Sequence, residues 1–239
     1  MIDKARKPGL FLYLLIAILL ILTSFSLLTL YNKYADDDEQ ISSPFELRAV
    51  IIDAGHGGKD GGAISVTGTV EKELNLEIAN NLEIIMKTLG YKVIMTRTTD
   101  CELTVEGSSE SRKMQDLKGR LLISQSNKNI PFVSIHMNKF SDKRYSGLQV
   151  YYSKNNDLSK EIAVNIQNTV KSTLQPTNNR NPKAATSSIF LLSKITSPAV
   201  LIECGFLSNQ NEAKLLDDAQ YRRELSLVIA SALSIDLVN

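Results

Sequence analysis

The stretch Ala49–Ala63, AVIIDAGHGGKDGGA, decides how the chain is read. Val50, Ile51 and Ile52 form a short apolar run of strand formers, the pattern of a strand buried on both faces of a parallel sheet. It ends at Asp53, and five glycines follow within eight residues: Gly55, Gly57, Gly58, Gly61 and Gly62. Such a turn lets backbone pass through positive φ and come close to another group, and the side chain it carries is that of His56. The chain has only one other histidine, His136, which ends a second apolar run, Pro131-Phe-Val-Ser-Ile-His. If the two runs are neighbouring strands, both imidazoles project from one sheet edge, where open α/β sheets place their sites. Two imidazoles converging there suggest a metal. Taken singly, each histidine also reads as a hydrogen-bonded loop residue.

Outward from this stretch, residues 71–89 place Leu74, Ile78, Leu82, Ile85, Met86 and Leu89 at helical spacing and stop at Gly90. Residues 91–97 read as a second strand and 98–111 as a polar irregular segment. A helix is expected over 112–127, with Met114, Leu117, Leu121 and Leu122 on one side. After the His136 strand come a strand over 147–152, a helix over 158–174 capped by Asp157, and a loop over 175–188 containing Pro176 and Pro182. Residues 188–193 read as a further short strand, 198–203 as the last strand, and 209–237 as helical with a break near Asp218. Strands alternating with helices imply an α/β sheet covered by helices on both faces.

The N-terminus differs in kind. No charged residue occurs from Pro8 to Asn32, and the segment 10–31 is dominated by Leu, Ile, Phe and Ala. At 1.5 Å per residue it is long enough for a hydrocarbon layer of roughly 30 Å, and it outruns the 7–15 residues typical of a signal-peptide core. Lys4, Arg6 and Lys7 precede it, and Asp36-Asp37-Asp38-Glu39 follow soon after. The positive-inside rule then predicts a cytoplasmic N-terminus at 1–9, a transmembrane anchor at 10–31, a linker at 32–45 and a folded body at 46–239 outside the cytoplasm. Residues 1–33 carry a balance of +3 within a net charge of +1, which leaves −2 on the remainder. A weakly acidic body has no electrostatic footprint for nucleic acid. Cys101 and Cys204 could form one disulfide in an oxidising compartment; far apart in sequence, they are read first as two free thiols.

Three strands thus end in ionisable groups, His56, His136 and Glu203, and Glu71 opens the helix after the first strand. A catalytic zinc takes three protein ligands, two histidines and one carboxylate being a standard set, and keeps a fourth position for water. Glu71 is placed to be that carboxylate, with Glu73 as its nearby substitute. It also reads as an N-terminal glutamate favoured by the helix dipole. Glu203, delivered by a buried strand, suits the general base such a site needs; alternatively it faces solvent at a strand end. Two rival uses of the glycine-rich turn fail, because it lacks both the GK[ST] of a phosphate loop and the third glycine of GxGxxG.

Four blocks, IIDAGHGGKDGGA (51–63), EKELNL (71–76), PFVSIHMN (131–138) and LIECGFLSNQNEAKLL (201–216), appear in this order. Together they resemble the zinc-dependent N-acetylmuramoyl-L-alanine amidases of the amidase-3 type over about residues 47–233. The resemblance implies a twisted, mostly parallel sheet of about six strands, zinc ligands at His56, Glu71 and His136, and a catalytic glutamate at Glu203. It implies cleavage of the amide between the muramic acid lactyl group and the first L-alanine of the peptidoglycan stem peptide. A single catalytic domain behind a membrane segment is similar in layout to the germination-specific amidases of spore formers, which act before muramic-δ-lactam formation. That layout implies a body facing the forespore intermembrane space, and a chain that shows no long helical insert before the last strand suggests either an open site or control by an accessory sporulation protein. Arg120, Asn138 and the loop 175–188 are the candidates for contacting substrate. A tethered wall-binding module with an inactive site and a zinc peptidase or deacetylase are the alternatives.

Overall fold

The computed structural model of the chain describes residues 10–37, 48–104 and 109–236. They fall into two compact units divided at residues 46 and 47. The first contains one helix, α1 (Leu10–Asp37), whose described side chains, Tyr13 among them, are exposed. Among the described residues no helix is long and apolar enough to cross a membrane. The helix takes in the first residues of the expected linker, and 38–45 lie outside the described residues.

The second unit runs β1 (Ala49–Ala54), α2 (Glu71–Thr88), β2 (Lys92–Met95), α3 (Arg112–Ser126), β3 (Phe132–Asn138), β4 (Gln149–Tyr152), α4 (Leu158–Thr173), β5 (Lys183–Ala184), α5 (Phe190–Lys194), β6 (Ala199–Phe206), α6 (Gln210–Asp217) and α7 (Ala219–Asp236). The six strands form one sheet in the order β2-β1-β3-β6-β4-β5. β2, β1, β3 and β6 are mutually parallel, while β4 pairs antiparallel with β6 and parallel with β5. The chain leaves β1 toward one side for β2 and returns to its other side for β3. The crevice between β1 and β3 is therefore a topological switch point, where sheets of this kind bind ligands.

Alternation along the strands assigns each residue to a face. Val50, Ile52, Val133, Ile135, Val200 and Ile202 pack with α2, α4 and α7 in the larger core. Ile51, Phe132, Ala199 and Leu201 pack on the opposite face with Leu191 and Leu192 of α5 and Leu117 and Leu121 of α3. By the same parity Asp53, Ser134, His136 and Glu203 belong to this second, thinner layer.

Several sequence expectations change. Residues 190–194 are a short helix, not a strand; a six-residue apolar run carries no period that separates the two. The loop 175–188 contains the two-residue strand β5. Leu122 is half exposed and lies off the buried face of α3. Asp157 makes no side-chain cap on α4; the Oδ1 of Asn156 accepts from the Leu158 N–H at 3.1 Å instead.

Candidate metal centre and active-site cavity

Three elements bring the site together. β1 runs into the glycine-rich turn, where His56 adopts φ 60°, a conformation that non-glycine residues rarely hold. Gly55 precedes it because a Cβ there would lie 2.2 Å from Nε2 of His136. Gly62, at φ +69°, closes the turn, and its Cβ would lie 2.6 Å from Oε2 of Glu71. The turn thus wraps the His136 ring and the Glu71 carboxylate at a distance that side chains forbid.

Glu71 begins α2 and is 3% exposed. Its Oε2 accepts from the Ala63 N–H at 2.8 Å, and its Oε1 accepts from the Met137 N–H at 3.0 Å. The same Oε1 lies 3.3 Å from Nε2 of His56 and 3.2 Å from Nδ1 of His136. The two rings meet edge to face with centroids 4.9 Å apart. Ligand atoms of His56, Glu71 and His136 all fall within 4.8 Å of one another, an arrangement that can hold a metal ion. Burial works against charge on His56, but the hydrogen bond and charge of Glu71, and then Asp60, outweigh it and raise its pKa to about 9. Burial works against the Glu71 carboxylate too, and the two imidazoles overcome it and hold its pKa far below the usual range.

Glu203 stands directly across from His136 in the β3–β6 register. Its Oε2 is buried with no hydrogen-bond partner, a costly state for a polar atom. Burial raises its pKa to about 7. Cys204, beside it, is buried in the larger core; burial and then the charge of Glu203 push its thiol up, which rules out a thiolate nucleophile. His56, His136 and Glu203 open into a cavity of about 260 Å³, walled opposite by Leu117, Ile189, Phe190 and Leu191.

Residues 50–234 match the amidase-3 family, described as N-acetylmuramoyl-L-alanine amidase. The chain belongs to this family of N-acetylmuramoyl-L-alanine amidases. It is 31% identical over 211 residues to the germination-specific N-acetylmuramoyl-L-alanine amidase of Bacillus subtilis (strain 168), covering 86% of this chain and 88% of that one. The CwlD amidase from Clostridioides difficile, solved in complex with the GerS lipoprotein, superposes with a TM-score of 0.74 at 40% identity, over 80% of this chain and 98% of that chain. The amidase AmiC2 of Nostoc punctiforme gives 0.67 at 28% identity, over 78% and 95%. The amidase is accordingly a hydrolase of peptidoglycan.

In this amidase the two residues expected to touch substrate behave differently. Arg120 lines the cavity yet is 1% exposed. Its Nε and Nη2 donate to Asp116, its Nη1 to Asp53 and the Ala54 carbonyl, and its Nη2 also to the His56 carbonyl. A guanidinium has five N–H donors, so none is left for a substrate. Arg120 is a positioning residue that ties α3 to β1 and to the backbone of His56. Asn138 ends β3 half-buried and takes no part in lining the cavity; its carbonyl accepts from the Leu207 N–H. Of the loop 175–188 only Ser188 reaches the cavity.

Sequence reasoning missed Asp60, whose Oδ2 lies 2.9 Å from Nδ1 of His56. A carboxylate on the second ring nitrogen of a metal-binding histidine is the usual orienting partner. It also missed Asp53, held by Thr96, Ser134 and Arg120 beneath the site. The spacing His56–Asp60 inside the glycine-rich block, and the strand parity that puts Asp53 on the same face as His136, are the signals that point to them.

Proposed function

We propose that His56, Glu71 and His136 hold one zinc ion and that Glu203 carries the proton in hydrolysis of the amide joining N-acetylmuramic acid to the stem-peptide L-alanine. The observation that carries this reading is the buried, unpartnered Oε2 of Glu203 opposite His136, beside a cluster of two imidazoles and a carboxylate. That donor set suits zinc, and the Asp60 carboxylate on His56 completes the usual support. When bound, zinc supplies Lewis acidity toward the amide carbonyl and brings the acidity of water toward neutrality. Glu203 takes a proton from the attacking water and returns it to the departing nitrogen, so that L-alanine leaves as an amine while the lactyl carbonyl becomes a carboxylate. Arg120 keeps the His56 backbone in place throughout.

The Bacillus subtilis relative is named germination-specific, which supports a role in germination for this chain; our reading extends it to spore cortex maturation, with stem peptides removed ahead of muramic-δ-lactam formation. The lipoprotein in the Clostridioides difficile complex supports an accessory protein for this chain as well. The uncharged segment 8–32 supports a membrane anchor that holds the second unit outside the cytoplasm, facing the forespore intermembrane space. Mass spectrometry of products from defined peptidoglycan fragments tests the chemistry. Free stem peptide is expected, absent with a chelator and restored by zinc. Glu203→Ala should keep the metal and lose about 10²–10⁴-fold in turnover, whereas His136→Ala loses both. Full activity in the Glu203 variant contradicts the assignment of roles.

A further inference from the structure

The α3 face that meets the cavity carries Lys113, Asp116, Leu117 and Arg120. The spacing i, i+3, i+4, i+7 puts all four on one side of a helix. Arg120 and Asp116 are buried and bonded to each other, and Arg120 reaches the β1 backbone at the cavity floor. Lys113 lies seven residues earlier, which is about 10 Å along the helix axis. It is exposed, lines the same cavity, and among the described residues has no hydrogen bond or ion pair. Leu117, Ile189, Phe190 and Leu191 give the cavity an apolar stretch of wall, with Ser188 beside it. The cavity therefore runs from the His56 and His136 imidazoles past an apolar stretch to an ammonium that has no ion-pair partner among the described residues.

We propose that Lys113 recognises a carboxylate of the stem peptide on the amine side of the scissile bond, and so sets which stem peptides the amidase accepts. This rests on the amidase reading of the metal centre. One or two extended residues from the scissile nitrogen reach roughly 3–7 Å, and Lys113 lines the same cavity as His56, His136 and Glu203. A lysine ammonium acts as a point charge with three donors and does not demand planar pairing. It therefore suits a carboxylate presented at varied angles by a peptide lying against the apolar wall. A free α-carboxylate on the second stem residue meets this requirement, and its carboxamide does not.

Two synthetic muramoyl peptides, identical except for carboxylate or carboxamide at the second stem residue, separate the possibilities with the zinc-supplied full chain. The wild type should prefer the carboxylate by about tenfold or more in kcat/KM, the scale of a hydrogen bond to a charged group, with the difference mainly in KM. Lys113→Met should erase that preference and Lys113→Arg should retain it. Calorimetric titration of the free carboxylate peptide should show the same order of affinities without turnover. Equal cleavage of both substrates by the wild type, or an undiminished preference in Lys113→Met, overturns the assignment to Lys113 and leaves the amidase reading intact. Failure of the wild type to cleave either substrate overturns both.

Discussion

Asp60 follows His56 by four residues and accepts from Nδ1, which turns Nε2 toward Glu71. Orienting carboxylates of this kind are worth about 10–100-fold in metal affinity. Asp60→Asn should therefore release zinc to a competing chelator at that much lower chelator strength, with the fold intact. Beneath the His56–Glu71–His136 cluster, Asp53 is fully buried; burial works to raise its pKa, but the charge of Arg120 and the Ser134 hydroxyl outweigh that and hold it below 3.8. A carboxylate depressed in the folded state stabilises fully above its unfolded value and loses that contribution as pH falls through its folded value. Asp53→Asn should lose about 2 kcal/mol at neutral pH, the scale of a hydrogen bond to a charged group, because Arg120 stays buried with Asp116 as its one remaining carboxylate partner. Denaturant titrations between pH 2 and 7 should also show a shallower decline below pH 3.8 than in the wild type. The pairing of Asp53 with Arg120 was hidden in the sequence because partners 67 positions apart leave no local pattern.

Among the elements, β1, β3 and β6 were legible because each is an apolar run ending in an ionisable group. Their alternation further fixes that His136 and Glu203 share a face, which the register between them bears out. Less could be read where packing overrides local preference. The run 189–192, IFLL, suits strand or helix alike, and it becomes α5 because Leu191 and Leu192 bury against Ile51 and Phe132 on the thin face of the sheet. β5 is too short to announce itself, and the reversal of β4 against β6 has no sequence signal. At α4, aspartate and asparagine stand side by side as candidate caps, and only the observed hydrogen bond assigns the job to Asn156. Asn156→Ala should cost about 1 kcal/mol, with Asp157→Ala nearly neutral; equal losses measured by urea unfolding would contradict the cap assignment.

For the whole molecule, sheet order explains why chemistry gathers where it does. β1 and β3 flank the switch point, β6 lies beside β3, and their C-terminal ends deliver His56, His136 and Glu203 to one crevice. α2 starts from the turn after β1, so Glu71 arrives beside them. α3 and α5 roof the thin face and form the cavity wall against which a peptide can lie. The proposed chemistry needs a zinc ion among His56, Glu71 and His136. X-ray diffraction from zinc-supplemented crystals of the protein, collected on both sides of the zinc absorption edge, locates such an ion. One strong anomalous peak is expected between the two imidazoles and the Glu71 carboxylate, vanishing below the edge; no peak there, or a peak only elsewhere, refutes the zinc site.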